Sequence, residues 1–237
     1  MLSVKNLTVN ADEKEILHDI SASFDVNKIY AIMGINGSGK SSFANTLIGN
    51  PSFTLANGTI KLDKKDITKL PPNKRAEKGL FFSPQSPLAI SGVTVGQLLR
   101  SAIPRDKTDS KTLSKQIKET AKELKMPNEL LSRSLNENFS GGERKKMEIL
   151  QMAILDPKYI ILDEIDTGVD VDALKIIATF LKNFTKNTDK TLILITHYNR
   201  ILTNLPVDKI FVMKDGKITQ EGDATLAEKI EKSGYEK

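Results

Sequence analysis

The sequence predicts an α/β fold in which a block of helices interrupts a core of alternating strands and helices. Three observations predict it. Short β-rich segments at 2–9, 20–26 and 29–33 open the chain, and helix-forming residues dominate from about 84 to 137. Strand–helix alternation returns from 159 onward. Because such alternation is typical of a parallel sheet covered by helices, we expect one α/β core with helices inserted at mid-chain.

In the first part of the chain, residues 21–26 alternate between polar and apolar, as in a half-buried strand, whereas 29–33 is apolar throughout, as in a strand covered on both faces. A helix is predicted over 40–48, ended by the stop signal Gly49-Asn50-Pro51. The later predicted elements are helices at 95–103, 111–125 and 128–134, a strand at 159–162, a helix at 170–184, strands at 191–195, 209–213 and 217–220, and a helix at 225–232.

The composition limits the classes of function. Of the 237 residues, 39% are apolar and 27% are charged, which suffices for a buried core and a solvated surface. The absence of cysteine excludes disulfides, a thiolate nucleophile and a cysteine-based metal cluster. The net charge of +5 comes from lysines interleaved with acids, which favours a solvated surface, so we expect no nucleic-acid partner.

Membrane insertion is also not expected. No stretch approaches the roughly 20 apolar residues that cross a bilayer. The longest apolar runs, at 29–33 and 160–162, have the length of strands. No apolar segment follows a basic start at the N-terminus, so we expect a cytoplasmic protein.

The strongest local signal is a glycine-rich turn between the strand 29–33 and the helix 40–48. It reads Gly-Ile-Asn-Gly-Ser-Gly-Lys-Ser and matches the phosphate-loop pattern G-x-x-x-x-G-K-[ST]. Its glycines let backbone N–H groups surround a phosphate, Lys40 can reach the β- and γ-phosphates, and the Ser41 hydroxyl can bind Mg²⁺. The alternative is a plain glycine turn before a helix. The residues predicted here to bind the phosphates of a nucleotide are Gly34, Ile35, Asn36, Gly37, Ser38, Gly39, Lys40, Ser41 and Ser42.

A second signal is the pair Asp163-Glu164 at the end of the apolar strand 159–162. The carboxyl edge of an open α/β sheet is where ligands bind. Asp163 suits Mg²⁺ bound through water, and Glu164 can accept a proton from the attacking water or orient it. The alternative is a strand end with two solvated acids.

A third signal is Ser140-Gly141-Gly142-Glu143. Ser140 and Glu143 form the pattern of a capping box that opens a helix reaching residue 155. A cap does not require two glycines, which weaken the start of a helix and leave N–H groups open to a second phosphate. Both roles can hold together.

Two single residues complete the set. Gln85 lies where the core gives way to the inserted helices, and by itself it is an ordinary loop glutamine. His197 follows the strand 191–195 and is expected at the same sheet edge as Asp163 and Glu164. A lone histidine is usually structural, but one at this edge can contact a γ-phosphate.

In their order and spacing, these motifs resemble those of ATP-binding-cassette (ABC) ATPases, over essentially the whole chain. The resemblance implies a P-loop NTPase with a RecA-like core, an antiparallel β subdomain and a helical subdomain, all within one domain, 1–237. The core and β subdomain would comprise 1–84 and 156–237, and the helical subdomain 85–155. The resemblance also implies ATP and Mg²⁺ as cofactors. The catalytic residues would be Glu164, His197 and Lys40, and Gln85 would also contact ATP.

The resemblance further implies that Ser41, Gln85 and Asp163 hold the Mg²⁺. Two copies would close head to tail in a nucleotide-dependent homodimer, with Ser140, Gly141, Gly142 and Glu143 completing the partner's site and Asp170 in a dimer-interface loop.

Within this family, segments 125–134, 139–143, 163–170 and 196–202 resemble the SufC branch, the soluble ATPases of the SUF iron–sulfur cluster assembly system. Glu143 in place of the usual glutamine, and Asp166 where transporters commonly have threonine, support that branch. The implied partners are SufB-like and SufD-like scaffold proteins. The alternative is the nucleotide-binding subunit of a membrane transporter. Around Asn10-Ala11 no aromatic residue is present to stack on adenine, unlike in many members of the family.

Overall fold

The computed structural model describes residues 1–104, 108–186 and 188–235. The strands are β1 (Leu2–Ala11), β2 (Lys14–Phe24), β3 (Lys28–Met33), β4 (Thr54–Leu62), β5 (Lys65–Asp66), β6 (Leu80–Ser83), β7 (Tyr159–Asp163), β8 (Thr191–Thr196), β9 (Lys209–Lys214) and β10 (Lys217–Gly222). The helices are α1 (Lys40–Ile48), α2 (Pro72–Glu77), α3 (Val95–Ala102), α4 (Ser110–Glu123), α5 (Glu129–Ser132), α6 (Gly141–Leu155), α7 (Val171–Thr185) and α8 (Ala224–Ser233), with a 3₁₀ turn at Leu202–Asn204.

The strands of the described residues form two sheets. The larger has the strand order β10-β9-β3-β8-β7-β6, in which all neighbours are parallel except the antiparallel pair β9–β10. The smaller is antiparallel, with the order β2-β1-β4-β5. The predicted α/β class is therefore confirmed. In a parallel sheet the carboxyl ends of the strands meet at one edge, so β3, β7 and β8 bring the predicted motifs together.

The larger sheet has a separate apolar core on each face. In β3, Ile29, Ala31 and Met33 belong to the core shared with α3, α4, α6 and α7, whereas Tyr30 and Ile32 belong to the core shared with α1 and the smaller sheet. Strands β7, β8 and β9 alternate in the same way. Successive side chains of a strand point to opposite faces, which explains why these strands are apolar throughout.

The helices after β6 begin at the caps that their sequences provide. Thr94 and Gln97 form a capping box at α3, and the Asp109 side chain accepts hydrogen bonds at the start of α4. Leu99, Leu113 and other buried residues of these helices share one apolar core with α6. We propose that α3 to α6 form the helical subdomain 85–155.

The sequence prediction for the second strand is wrong in its bounds. The second strand spans Lys14–Phe24, not 20–26. Asn27 takes a left-handed conformation with φ of 59° in the turn that leads into β3, and Val26 is exposed there. Residues 25 and 26, predicted as the end of the strand, therefore belong to the turn between β2 and β3.

Elements β4, β5, α2 and β6 were not predicted. In β4, Gly58 has a φ of 100°, and a Cβ at this position would lie 2.5 Å from the main-chain oxygen of Asn6. This glycine lies where the register between β1 and β4 shifts. A positive-φ glycine at a register irregularity interrupts the alternation from which a strand is predicted. Among the described residues, the helices are all too short or too polar to cross a membrane.

Candidate functional site

A cleft of about 580 Å³ lies against the turn between β3 and α1. It is lined by β2, by the turn and the start of α1, by single residues that follow β6 and β7, and by the turn between β9 and β10. The lining residues are Lys14, Glu15, Ile16, His18, Asn36, Gly37, Gly39, Lys40, Ser41, Ser42, Gln85, Glu164, Asp215 and Gly216. Much of the predicted phosphate loop thus shares one cavity with Gln85 and Glu164.

The glycines of the phosphate loop meet two different needs. Gly39 precedes α1 with a φ of 101°, in the left-handed region that favours glycine. A Cβ on Gly34 would lie 2.3 Å from the main-chain oxygen of Met213, so this position needs glycine because β9 approaches closely. The loop is also tied to the β9–β10 turn, because Gly216 N donates to Ser38 O at 3.0 Å.

Lys40, the first residue of α1, is buried. Its Nζ donates to the main-chain oxygens of Gly34 at 2.8 Å and Ile35 at 2.9 Å. Burial lowers the pKa of this amine, while the carboxylates of Glu164 and Asp163 oppose that shift. An ammonium held by two carbonyls next to two acids is suited to exchange its carbonyl contacts for the oxygens of a phosphate.

Asp163 and Ser41 fit the predicted magnesium site. Asp163 is 2% exposed, and its Oδ1 has no hydrogen-bond partner among the residues that the structure describes. Burial raises the pKa of Asp163, whereas the Ser41 hydroxyl and Lys40 lower it. Mg²⁺ prefers oxygen ligands and is often bound by one carboxylate together with substrate phosphates, so this donor set suits it.

Glu164 is surrounded by other predicted site residues. Its Oε2 accepts a hydrogen bond from Gln85 Nε2 at 2.6 Å and another from the Thr167 hydroxyl at 3.1 Å. His197 Nδ1 lies 3.4 Å from Glu164 Oε1, without hydrogen-bond geometry. Glu164 itself has a φ of 48°, which turns the chain directly after β7. Residues far apart in the sequence therefore converge on one carboxylate.

The segment around His197 is fixed by a buried acid. Thr196 Oγ1 donates to Asp166 Oδ2 at 2.9 Å, and Asp166 is 1% exposed. Burial raises the pKa of Asp166, and the Thr196 hydroxyl opposes the shift. Asp166 therefore connects the turn after β7 to the end of β8, immediately before His197.

The segment 140–143 is not part of this cleft within a single chain. Glu143 N donates to Ser140 Oγ at 3.3 Å and Ser140 N donates to Glu143 Oε2 at 2.7 Å, so the predicted capping box is confirmed. A Cβ on Gly141 would lie 2.4 Å from the main-chain oxygen of Gly168, and one on Gly142 would lie 3.3 Å from Ala173 Cβ. Close packing against Gly168 and against Ala173 of α7 therefore gives both glycines a structural role, beside the phosphate contact that the sequence predicts.

Asp170 also has a local role, because its Oδ1 accepts a hydrogen bond from Ala173 N at 2.8 Å and caps α7. Next to it, Val171 is 58% exposed.

Sequence reasoning missed the side of the cleft formed by β2. Asn10 and Ala11, where an aromatic residue was sought, are not among the lining residues, whereas Lys14, Ile16 and His18 are. His18 Nδ1 lies 2.5 Å from Glu15 Oε1, and His18 N donates to Gly216 O at 2.9 Å. Since residues 14, 16 and 18 share one face of a strand, their period of two was the signal that could have found them.

A match to the family described as ABC transporter covers residues 17–167, more than half of the chain. The chain belongs to this family. Its fold is therefore that of an ABC ATPase, a P-loop NTPase with an inserted helical region, as the sequence predicted. As an ABC ATPase, it binds ATP and is an ATP-hydrolysing enzyme.

Relatives with similar sequences cover nearly the full length of this ABC ATPase. A protein of Synechocystis sp. named probable ATP-dependent transporter slr0075 is 42% identical over 243 residues, covering 100% of this chain and 94% of the relative. The probable ATP-dependent transporter ycf16 of Antithamnion sp. is 41% identical and covers 100% of this chain and 96% of its own. A probable ABC transporter ATP-binding protein of Streptococcus pyogenes serotype M18 is 40% identical, covering 99% of this chain and 93% of the relative.

Solved structures agree with the fold. The dimeric structure of MJ0796, a bacterial ABC transporter cassette, superposes with a TM-score of 0.82 at 20% identity, covering 94% of this chain and 99% of that one. A dimeric post-hydrolysis state of MJ0796 bound to ADP and Pi superposes with a TM-score of 0.81 at 21% identity, with the same coverage.

Proposed function

We propose that this ABC ATPase is the SufC-type subunit of an iron–sulfur cluster assembly system in the cytoplasm. ATP binding and hydrolysis at a composite dimer interface would drive a conformational change in SufB-like and SufD-like scaffold proteins. The observation that carries the proposal is Asp166, which stands where transporters commonly have threonine and is buried against Thr196. The chain has no cysteine, so the partners would supply the thiolates that hold a cluster.

The catalytic roles follow from the contacts of the site. Glu164 would orient and deprotonate the attacking water, because it is a buried carboxylate held by Gln85 and Thr167. Lys40 would hold the β- and γ-phosphates, and His197, next to Glu164, would contact the γ-phosphate. Bound Mg²⁺, held by Ser41, Asp163 and Gln85, would neutralise charge on the phosphate oxygens.

The second copy would complete the site. Segment 140–143 lies outside the cleft of its own chain, and Asp170 caps α7 beside the exposed Val171. In a head-to-tail homodimer, the N-terminus of α6 would face the γ-phosphate bound by the other copy, where its helix dipole favours an anion. Loss of the γ-phosphate on hydrolysis would then favour the open form.

A groove among the inserted helices suggests where the scaffold proteins bind. A cavity of about 650 Å³ lies among α3, α4 and α5 and contains none of the predicted site residues. Val95, Leu113 and Ile117 contribute apolar side chains, and Arg100 and Lys118 contribute basic ones. Such a groove fits an amphipathic helix that carries acidic residues beside its apolar face.

The loop after β6 runs from Gln85, which lines the ATP cleft, to Thr94, which lines this groove. Leu88 is 82% exposed in that loop, and its main-chain oxygen accepts a hydrogen bond from Asn136 Nδ2 at 3.0 Å. Three residues earlier, Gln85 O accepts a hydrogen bond from Lys145 Nζ at 2.7 Å. A partner bound at Leu88 would therefore act on the main chain that positions Gln85 beside Glu164.

The second candidate function is the nucleotide-binding subunit of a membrane ABC transporter. The names of the relatives, which are all described as transporters or transporter ATP-binding proteins, favour it. This function would use the same ATP site and the same groove, and only the partner would differ.

Purification of the tagged full-length chain from its native host distinguishes the two functions. The proposed function predicts a detergent-independent complex with SufB-like and SufD-like chains, identified by mass spectrometry. The Leu88→Glu variant should lose them, because it places a charge at an exposed apolar position, while Lys217→Glu, at an exposed position of β10, should retain them. A complex that forms only in detergent and contains membrane-spanning chains would overturn the SUF assignment.

A further inference from the structure

The end of the described chain reaches back to the segment that carries His197. Asn199 Nδ2 donates a hydrogen bond to Glu231 Oε2 in α8 at 3.1 Å. The hydroxyl of Tyr235 donates to the main-chain oxygen of His197, also at 3.1 Å. These two contacts lie on either side of Tyr198, which is itself exposed. The segment 197–199 is thus held at two points by the chain that follows β10.

A glycine turn brings Tyr235 to this place. Helix α8 is fixed by Ala227 and Ile230, which are buried in the apolar core behind β9. Gly234 N donates to Ile230 O at 2.8 Å, and Gly234 has a φ of 76°, so the helix ends at a residue whose conformation favours glycine. Tyr235 then packs against the same core, so its ring is held independently of its hydroxyl.

The hydroxyl of Tyr235 lies near two parts of the ATP site. It donates to the His197 carbonyl, and the main chain of Gly34, the first residue of the phosphate loop, influences its pKa. Burial raises the pKa of this hydroxyl, and the main chain of Gly34 opposes the shift. The hydroxyl that holds the His197 main chain is therefore also sensitive to the phosphate loop.

We infer that Tyr235 is a positioning residue for ATP hydrolysis, whose hydroxyl holds the main chain of His197 so that the imidazole stays beside Glu164. Thr196 is anchored on the other side by Asp166, so His197 is held from both directions. The inference rests on the proposed contact between His197 and the γ-phosphate. Tyr235 is not among the residues that line the cleft, so we infer that it acts through His197.

A double-mutant cycle tests the inference in the full chain. The variants are Tyr235→Phe, His197→Ala and both together, with Tyr198→Phe as the matched control that removes a neighbouring hydroxyl. We expect Tyr235→Phe to lower kcat about fivefold, as expected for one lost hydrogen bond. KM for ATP should stay unchanged, and the thermal midpoint should fall by no more than about 4 °C, because the ring packing is retained and only one hydrogen bond is lost. In the His197→Ala background, Tyr235→Phe should cause no further loss, and Tyr198→Phe should leave kcat unchanged.

The outcomes separate the inference from the proposed role of His197. An equal loss from Tyr235→Phe in both backgrounds would show that the hydroxyl acts independently of His197 and would overturn the inference. The inference would also be overturned if His197→Ala lowers kcat but Tyr235→Phe leaves kcat unchanged. If His197→Ala alone leaves kcat intact, the proposed role of His197 fails, and the inference falls with it.

Discussion

Gln85 Nε2 donates a 2.6 Å hydrogen bond to Glu164 Oε2 and thereby connects the loop after β6 to the end of β7. Lys145 Nζ holds the main-chain oxygen of the same glutamine at 2.7 Å. The position of the proposed catalytic base is therefore set by a loop that also carries the exposed Leu88. If the proposed function is right, a partner bound at Leu88 would act through this relationship on the proposed catalytic base.

Gln85→Glu should change the pH dependence of hydrolysis. The substitution places a second carboxylate within hydrogen-bond distance of Glu164, and two adjacent carboxylates hold a shared proton to higher pH. Because the base must be deprotonated, the acidic limb of the kcat profile should move to higher pH. Gln85→Ala, which adds no charge, should lower the rate without this displacement. Coincident acidic limbs for the native chain and Gln85→Glu would show that the two side chains are not coupled.

Glu164→Gln should nearly abolish turnover while ATP binding is retained. General-base catalysis contributes about 10²- to 10⁴-fold, so we expect a loss of that order in kcat. Binding of a fluorescent ATP analogue should be nearly unchanged, since Lys40 and the phosphate loop are intact. Turnover close to that of the native chain would mean that Glu164 is not the base.

Gly141→Ala should destabilise the fold more than Gly142→Ala. The added Cβ at 141 would lie 2.4 Å from Gly168 O, whereas at 142 the nearest atom is Ala173 Cβ at 3.3 Å. We expect a cost of about 2 kcal/mol at 141, as for overpacking elsewhere, and less at 142. Thermal unfolding of both variants measures the difference. Equal thermal midpoints for the two variants would contradict the close approach of Gly141 in α6 to Gly168.

Arg75→Met should be among the most destabilising single substitutions. The guanidinium is buried and donates to the main-chain oxygens of Thr46, Leu47, Thr68 and Leu70, at 2.7 to 2.8 Å.

Two of these oxygens belong to the last turn of α1, the helix that follows the phosphate loop, so the loss leaves several buried carbonyls without donors. We expect a loss of roughly 3 kcal/mol in the free energy of unfolding by urea. The exposed Lys74→Met is the control and should cost little. A small loss in the free energy of unfolding for Arg75→Met would mean that water replaces the guanidinium as the donor to these oxygens.

Asp63 should make stability depend on pH. Burial acts to raise its pKa, but hydrogen bonds from the N-terminal amine, Tyr159 and Lys158 together hold the pKa well below its usual value of 3.8. Its stabilising contribution is therefore complete above about pH 3.8 and is lost as the pH falls through the lower folded-state pKa.

Because the Asp63 side chain is 45% exposed, solvent screening limits this contribution to about 1 kcal/mol. Asp63→Asn should lower the free energy of unfolding by that amount at neutral pH, with the difference shrinking in acid. If the difference in free energy of unfolding between the native chain and Asp63→Asn instead grew as the pH falls, the prediction would be contradicted.

Contiguous motifs were predictable from the sequence because their chemistry is local. The phosphate loop, the Ser140–Glu143 capping box and the Asp163-Glu164 pair each depend on neighbours a few residues away, so their spacing alone carries the signal. The apolar strands also gave the α/β class, since only a sheet covered on both faces is apolar throughout.

Tertiary structure decided what depends on distant partners. Gln85 contacts Glu164, 79 residues away, and Tyr235 contacts the His197 carbonyl, 38 residues away. The close approach of Gly168 gives Gly141 a packing role that its position before a helix does not reveal. Such contacts arise when the parallel strands bring their carboxyl ends to one edge, and a one-dimensional pattern does not encode which loops meet there.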